Sequence, residues 1–268
     1  MADGAAIKPT VWARLRLEAI TAAAEEPILA TLLHASILNH QTMEDALAYH
    51  LAQKLGGADM NALQMREVCA AAYSADPRLE VAALGDMEAV RDRDPACRSF
   101  LQPFLHYKGF AALQAYRVAH WLWSQGRETL AFHLQSRISE LFGVDVHPAA
   151  RIGSGVMIDH ASGVVIGETA VVGDDVSLLH SVTLGGTGKQ TGDRHPKIGR
   201  GVLIGAGAKV LGNIRVGDEA RIASGSVVLE DVPAGCTVAG VPARRVGGLC
   251  TQPALTMDQR FEAHDPGI

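Results

Sequence analysis

From Val146 onward, apolar residues recur at every sixth place. Twelve positions in one register are all Ile, Val or Leu: Ile152, Ile158, Ile166, Val172, Leu178, Leu184, Ile198, Ile204, Val210, Val216, Ile222 and Val228. The step is six throughout, apart from breaks at 158–166 and 184–198. Seven of the twelve are followed directly by glycine, and the side chain four places on is usually small or Val, as at Val156, Ala170, Val176, Ala208 and Ser226. Neither a strand period of two nor a helix period of 3.6 sustains such a register. A hexapeptide period does describe a parallel β-helix: three short strands make a triangular coil, the aliphatic points inward, and glycine opens the turns. Stacked coils then bury a continuous aliphatic column.

Upstream, residues up to about 142 keep a helical period. Apolar positions cluster at Trp12, Leu15, Ala19 and Ile20, then at Ile28, Leu29, Leu32 and Leu33, then at Leu47, Leu51 and Leu55. Gly56-Gly57 ends one helix, and Pro77, Pro95 and Pro103 mark further boundaries. A second run over 109–142 carries Phe110, Leu113, Tyr116, Arg117, His120, Trp121 and Trp123. The expected fold is α+β. An all-α domain over 1–142 precedes a left-handed parallel β-helix over 143–246, and a flexible, irregular tail covers 247–268.

Composition narrows the function classes. The 268 residues suffice for one large core or two modest ones. Aromatics at 5% argue against base stacking, and a net charge of -5 argues against a general binder of nucleic acid or anionic membrane. A local basic patch for an anionic cosubstrate remains compatible with that charge. Met1-Ala2-Asp3-Gly4 opens no basic-then-apolar leader and no run reaches membrane-spanning length, so a cytoplasmic protein is expected. Cys69, Cys97, Cys236 and Cys250 show no C-x-x-C spacing, which argues against a zinc knot or a disulfide framework.

Insertions in a solenoid become flanking loops, so the two breaks are where chemistry is expected. The first holds Asp159-His160-Ala161-Ser162-Gly163; the second runs from Gly185 to Lys197. His160 suits a general base, and Asp145, almost one coil earlier, is placed to orient it. By base rates alone the pair is a surface histidine beside a surface aspartate. Arg194-His195 reads equally as a carboxylate clamp or as a solvated basic loop tip. Asp159 and Asp94 are candidates for an ammonium group, although Asp94 before Pro95 also reads as a helix cap. Gly185-Gly186-Thr187-Gly188-Lys189 lacks phosphate-loop spacing. It and Ile204-Gly205-Ala206-Gly207-Ala208 instead offer a groove with little side-chain bulk, of the kind a pantetheine arm needs. Lys189, Lys209, Arg244 and Arg245 are candidate phosphate partners, each by default a solvated cation.

Several segments resemble bacterial serine acetyltransferases of the hexapeptide-repeat acyltransferase family. They are Val144-Asp145-Val146-His147-Pro148 through Gly153, Asp159-His160-Ala161-Ser162-Gly163 through Ala170, Val182 through Lys189, Gly192-Asp193-Arg194-His195-Pro196-Lys197 and Ala239-Gly240-Val241-Pro242-Ala243-Arg244. The resemblance extends into the helical half at Asp92-Arg93-Asp94-Pro95-Ala96 and His106-Tyr107-Lys108-Gly109-Phe110. It implies acetyl transfer from acetyl-CoA to L-serine in cysteine biosynthesis, with no metal. His160 would be the base and Asp145 its partner; Asp94 and Asp159 would take the serine ammonium, Arg194 and His195 the carboxylate. CoA would lie along Gly186, Thr187, Ala206, Ser224 and Arg244, although relatives often carry alanine and lysine at the last two. The resemblance also implies sites between β-helices of a trimer, trimers paired through the helical halves, and inhibition by L-cysteine. It implies that Ile268 enters the active site of O-acetylserine sulfhydrylase (cysteine synthase).

Two rival readings share the β-helix. One is a hexapeptide acyltransferase with a sugar-type acceptor. The other is a zinc hydratase of the γ-carbonic-anhydrase type, since His147, His160, His180 and His195 all lie on the solenoid and zinc needs three convergent ligands.

Overall fold

A computed structural model describes residues 10–189 and 191–260. The helical half comprises α1 (Val11–Glu25), α2 (Ala30–Leu33), α3 (Met43–Leu55), α4 (Ala62–Ala75), α5 (Arg78–Arg93), α6 (Lys108–Ser124) and α7 (Glu128–Phe142). Local chemistry sets several starts. The Thr10 and Thr42 hydroxyls accept from backbone N–H groups of α1 and α3, and Asn61 with Gln64 forms a reciprocal capping box on α4.

Gly143 ends α7 in the left-handed region and leads into the solenoid. Its strands are β1 (Val144–Val146), β2 (Arg151–Ile152), β3 (Met157–Ile158), β4 (Val164–Ile166), β5 (Val171–Val172), β6 (Ser177–Leu178), β7 (Thr183–Gly185), β8 (Lys197–Ile198), β9 (Leu203–Ile204), β10 (Lys209–Leu211), β11 (Arg215–Val216), β12 (Arg221–Ile222) and β13 (Val227–Val228). They stack as three parallel faces. The first is β1-β4-β7-β10-β13, the second β2-β5-β8-β11, and the third β3-β6-β9-β12. The third is extended by β14 (Cys236–Gly240) and its antiparallel partner β15 (Ala243–Leu249). A one-turn helix, α8 (Pro253–Thr256), then lies against α5.

The solenoid is the left-handed β-helix with hexapeptide repeats expected from the register. Val165 pairs with Thr183 and Lys197 with Arg215, each one coil of three hexads apart. Val144 pairs with Val164, two residues more than that, and Val171 with Lys197, eight more. The excess is the length of each excursion. All the periodic aliphatics are buried except Ile152, which is half-buried on the first coil.

A solenoid leaves its first coil uncovered, and α6 closes it. Tyr116 donates its hydroxyl to the Ala150 carbonyl, and His120 Nδ1 donates to Pro148 O at 2.7 Å. Arg117 donates to Gly153 O at 2.7 Å and Ile152 O at 3.3 Å. Its Nη2 also meets Asp86 Oδ2 of α5 at 2.7 Å, in a pair that is almost wholly buried. Gln114 Nε2 and the Val156 N–H, each at 2.9 Å, complete the Asp86 carboxylate.

Of the apolar run at 28–33 only Leu33 is buried; Ile28 is 88% exposed, and Ile20, Leu29 and Leu32 are exposed too. The 3.6 period here describes an apolar ridge on the surface of the protomer rather than its core.

Replacing Asp86 with Ala leaves the Arg117 guanidinium buried beside carbonyls without its counter-charge. Removal of one partner from such a pair costs about 3–5 kcal/mol. Urea unfolding of Asp86→Ala is expected to show that loss, and a change under 1 kcal/mol would contradict the assigned role.

Candidate functional site

The corners of the prism stack as columns. His160, His180, Ala206 and Ser224 each stand two residues past an inward aliphatic of the third face, and so form one column on the edge between the third and first faces. The His160 and His180 rings meet edge to face, 5.8 Å between centroids. Beside them opens a cavity of about 630 Å³, lined among others by Asp94, Tyr107, Lys108, Asp159, His160 and Ser162. Its helical wall is fixed by Gly109, whose close approach to β3 would put an added Cβ 1.9 Å from the Ile158 carbonyl oxygen.

His160 sits on an unusual turn. His160 and Ala161 have φ of 55° and 60°, and two tight bonds close it: Ala161 N–H to Asp159 O at 2.6 Å and Ser162 N–H to His160 O at 2.7 Å. Left-handed backbone at non-glycine residues costs of order 1–3 kcal/mol each and persists where surroundings over-determine it. The imidazole itself is exposed, with its Nε2 3.7 Å from Asp159 Oδ2. Asp94 ends α5, and its Oδ1 accepts from the Ala96 N–H at 2.8 Å, so it serves as a local cap while lining the cavity. Burial, and after it the Asp94 carboxylate, pushes the Tyr107 phenol up to about 12.

Arg194 and His195 occupy a different edge, between the first and second faces. There Thr169 organises the loop: its hydroxyl accepts from the N–H groups of Arg194 at 3.0 Å and His195 at 3.1 Å. Thr169 N–H donates to His195 Nδ1 at 3.2 Å, and the hydroxyl lies 2.9 Å from the same nitrogen. A backbone N–H can only donate, so Nδ1 is the acceptor and the ring proton belongs on Nε2. Gly167 leaves room for that ring; a Cβ there would stand 2.1 Å from Nε2. Burial, and after it the Arg194 guanidinium, lowers the His195 pKa. Arg194 Nη2 meets Glu168 Oε2 at 2.7 Å, and this hydrogen bond holds the Glu168 carboxyl below its usual range. Lys197 Nζ closes the loop on Thr169 O at 2.9 Å and His195 O at 2.7 Å.

Within one chain, therefore, Asp94, Asp159 and His160 come together and Arg194 and His195 stand apart from them. Asp145, at the centre of β1 on the first face, accepts from Gln135 Nε2 at 2.7 Å. Among the described residues it makes no hydrogen bond to His160. Gly186 and Thr187 lie on the Arg194 edge, whereas Ala206 and Ser224 continue the His160 column. Arg244, on β15, is exposed near the far end of the solenoid. Ile268 lies outside the described residues. The four solenoid histidines divide between the two edges, and no group of three metal-binding side chains converges among the described residues. Sequence reasoning assigned no role to Tyr107, Lys108, Glu168 or Thr169. The signal for the first two was a polar pair just before a glycine at the start of an apolar helix.

Chemically, the His160 edge can accept a proton from a hydroxyl and hold an ammonium, and the Arg194 edge can hold a carboxylate.

Residues 11–115 match the family model "Serine acetyltransferase, N-terminal", and residues 195–230 match "Bacterial transferase hexapeptide (six repeats)". The serine acetyltransferase of Escherichia coli (strain K12) is 56% identical over 252 residues, covering 94% of this chain and 92% of its own. A solved serine acetyltransferase in complex with cysteine superposes with a TM-score of 0.92 at 52% identity, covering 94% of this chain and 98% of that one. The Brucella abortus (strain S19) serine acetyltransferase in complex with coenzyme A gives 0.88 at 53% identity, covering 90% and 97%.

The His195 arrangement sets a pH dependence. Protonating Nδ1 removes the acceptor for Thr169 N–H and adds a cation beside Arg194, so the folded midpoint lies below the ordinary 6.5. As pH falls below 6.5 the unfolded chain binds the proton first, and this residue's contribution to stability declines until the folded midpoint is passed. An NMR titration should find the Nε2–H tautomer and a midpoint under 6.5; a midpoint at or above it would contradict the geometry.

Proposed function

This chain belongs to the serine acetyltransferase family, and on that premise we propose how its two edges make one active site. The reaction is transfer of acetyl from acetyl-CoA to the hydroxyl of L-serine, giving O-acetyl-L-serine and CoA. In our reading three solenoids pack side by side, so that the His160 edge of one protomer faces the Arg194 edge of its neighbour. The observation that carries this is the split itself: Asp94, Asp159 and His160 on one edge, Arg194 and His195 on the next. Asp94 and Asp159 then take the serine ammonium. Arg194 and His195 of the neighbouring copy take its carboxylate, His195 through its Nε2–H. Asp145, on the face between the two edges, orients His160.

The column above His160 loses side-chain bulk at Ala206 and Ser224, which suits a pantetheine arm running along the edge. Gly186 and Thr187 line it from the other side, and Arg244 meets the phosphates at the far end. The serine Oγ attacks the thioester carbonyl as His160 takes its proton, and a backbone amide steadies the oxyanion. The C–S bond then breaks, and the CoA thiolate leaves with the proton that the imidazolium returns.

Residues 1–142 form the oligomerisation unit in this reading. The apolar ridge of Ile20, Ile28, Leu29 and Leu32 is covered by a second copy, pairing trimers. L-Cysteine, an isostere of serine, competes for the acceptor pocket. The segment 247–268 presents Ile268 to cysteine synthase, a C-terminal carboxylate capture. No described helix is long and apolar enough to cross a membrane, which is compatible with a cytoplasmic reaction.

The deciding experiment is acetyl-CoA turnover with serine, repeated with cysteine present and with a panel of sugar acceptors. His160→Ala should lose about 10²–10⁴-fold in kcat, the usual worth of a general base, and near-normal kcat would remove it from that role. Arg194→Ala should chiefly raise KM for serine. Deleting Ile268 should abolish the complex with cysteine synthase and leave acetyl transfer intact; an undiminished complex would refute capture by the tail.

A further inference from the structure

His160 stands on a turn that its own backbone disfavours, with two successive non-glycine residues at positive φ. Such a turn holds its side chain in one place only if something outside it does the holding. The solenoid supplies part: Ser181 N–H donates to Ser162 O at 2.8 Å, and Gly163 N–H donates to Gly143 O at 2.7 Å. The helical half supplies the rest. Lys108, the first residue of α6, extends along the cavity wall and donates its ammonium to Ser162 Oγ.

Lys108 is well placed to act as a fixed point. Its neighbour Gly109 rests against the Ile158 carbonyl, so the first turn of α6 cannot move relative to β3 without a clash or a gap. Further along, α6 is bonded to the first coil through Tyr116, Arg117 and His120. The turn is thus clasped between the next coil, through Ser181, and a helix that is itself locked to the solenoid. Ser162 is the link to both, by its carbonyl on one side and its hydroxyl on the other.

Resting on the reading of His160 as the base, we propose that Lys108 is a positioning residue that holds the His160 turn through Ser162. It acts on the proton-transfer geometry and not on substrate capture. Asp94 keeps its own bond to Ala96, Asp159 keeps the bond from its N–H to Leu178 O at 2.8 Å, and Arg194 belongs to another edge, so the groups that bind serine stay where they are. Loosening the clasp therefore lowers kcat and spares KM.

Steady-state kinetics of the full chain test this with Lys108→Met, Ser162→Ala, the double variant and Lys108→Arg. Each single variant is expected to lose about tenfold in kcat, since small misplacements of a catalytic group carry losses of that order or more. KM for serine should stay within about twofold. The double variant should lose no more than either single one, because both remove the same link. Lys108→Arg, which keeps a cationic donor, should recover most of the loss. Wild-type kcat in Lys108→Met, or losses that multiply in the double variant, would overturn the proposal. So would an equal loss accompanied by early thermal melting, which marks a merely structural lysine. His160→Ala in the same assay separates the two layers. If it retains kcat, the base reading fails; if it is inactive while Lys108→Met is unimpaired, only the clasp fails.

Discussion

The Asp86–Arg117 ion pair is the joint on which the arrangement turns. Both charges are nearly out of water, and desolvating each costs several kcal/mol unless geometry and further hydrogen bonds compensate. Here they do. The carboxylate takes bonds from Gln114, Arg117 and the Val156 N–H, while the guanidinium also satisfies the Ile152 and Gly153 carbonyls. Such a cluster tolerates one relative placement of α5, α6 and the first coil. Apolar contact alone would allow the helices to slide, because it is not directional. The second joint, Arg93 with Asp175 and Ser177, fixes the last turn of α5 to the second coil. Asp94 follows immediately, so the carboxylate at the cavity is placed by ion pairs one residue and two turns of helix away.

A solenoid turns sequence into columns, and function here is written down a column. The same corner position carries imidazole, imidazole, methyl and hydroxymethyl in successive coils at His160, His180, Ala206 and Ser224. From His180 onward the corner backbone repeats, with Ser181, Gly207 and Gly225 each at positive φ, so the chemistry varies along the edge while the geometry does not; His160 alone carries the two-residue excursion. That separation lets one edge carry an imidazole pair at one end and a narrow, side-chain-poor track beyond it. The other edge uses a different device. Its eight-residue excursion is folded back on the coil by Thr169 and Lys197, which convert a loop into a rigid clamp mount.

Much of this was legible beforehand. The six-residue register identifies the solenoid because only an inward-facing position repeats so strictly. The two breaks announce excursions of two and eight residues, which reappear as the excess in the strand pairings Val144–Val164 and Val171–Lys197. The edges themselves were also within reach. Four strands separate the breaks and three make a coil, so the two excursions must lie on different edges of one solenoid. Other features leave no local trace. Asp86 and Arg117 are 31 residues apart, and nothing nearby distinguishes a charge about to be buried from a solvated one. The run at 28–33 shows the limit of periodicity: it reports an apolar face but not whether the same chain covers it.

The two edges also differ in how they hold their imidazoles, and the difference follows from the work proposed for each. His195 is buried, its Nδ1 is occupied by Thr169 and its pKa is lowered, so it is a fixed donor that keeps its proton on Nε2. A group that only recognises a carboxylate gains from such rigidity. His160 is exposed, with its position set by the backbone turn rather than by packing around the ring. A base must gain and return a proton within each turnover at the nitrogen that faces the reactants, so that nitrogen has to stay free of a permanent partner. The strain at His160 and Ala161 thus stands in for the packing that the reaction forbids. It directs the imidazole by its main chain and leaves the ring exposed beside the Asp159 carboxylate.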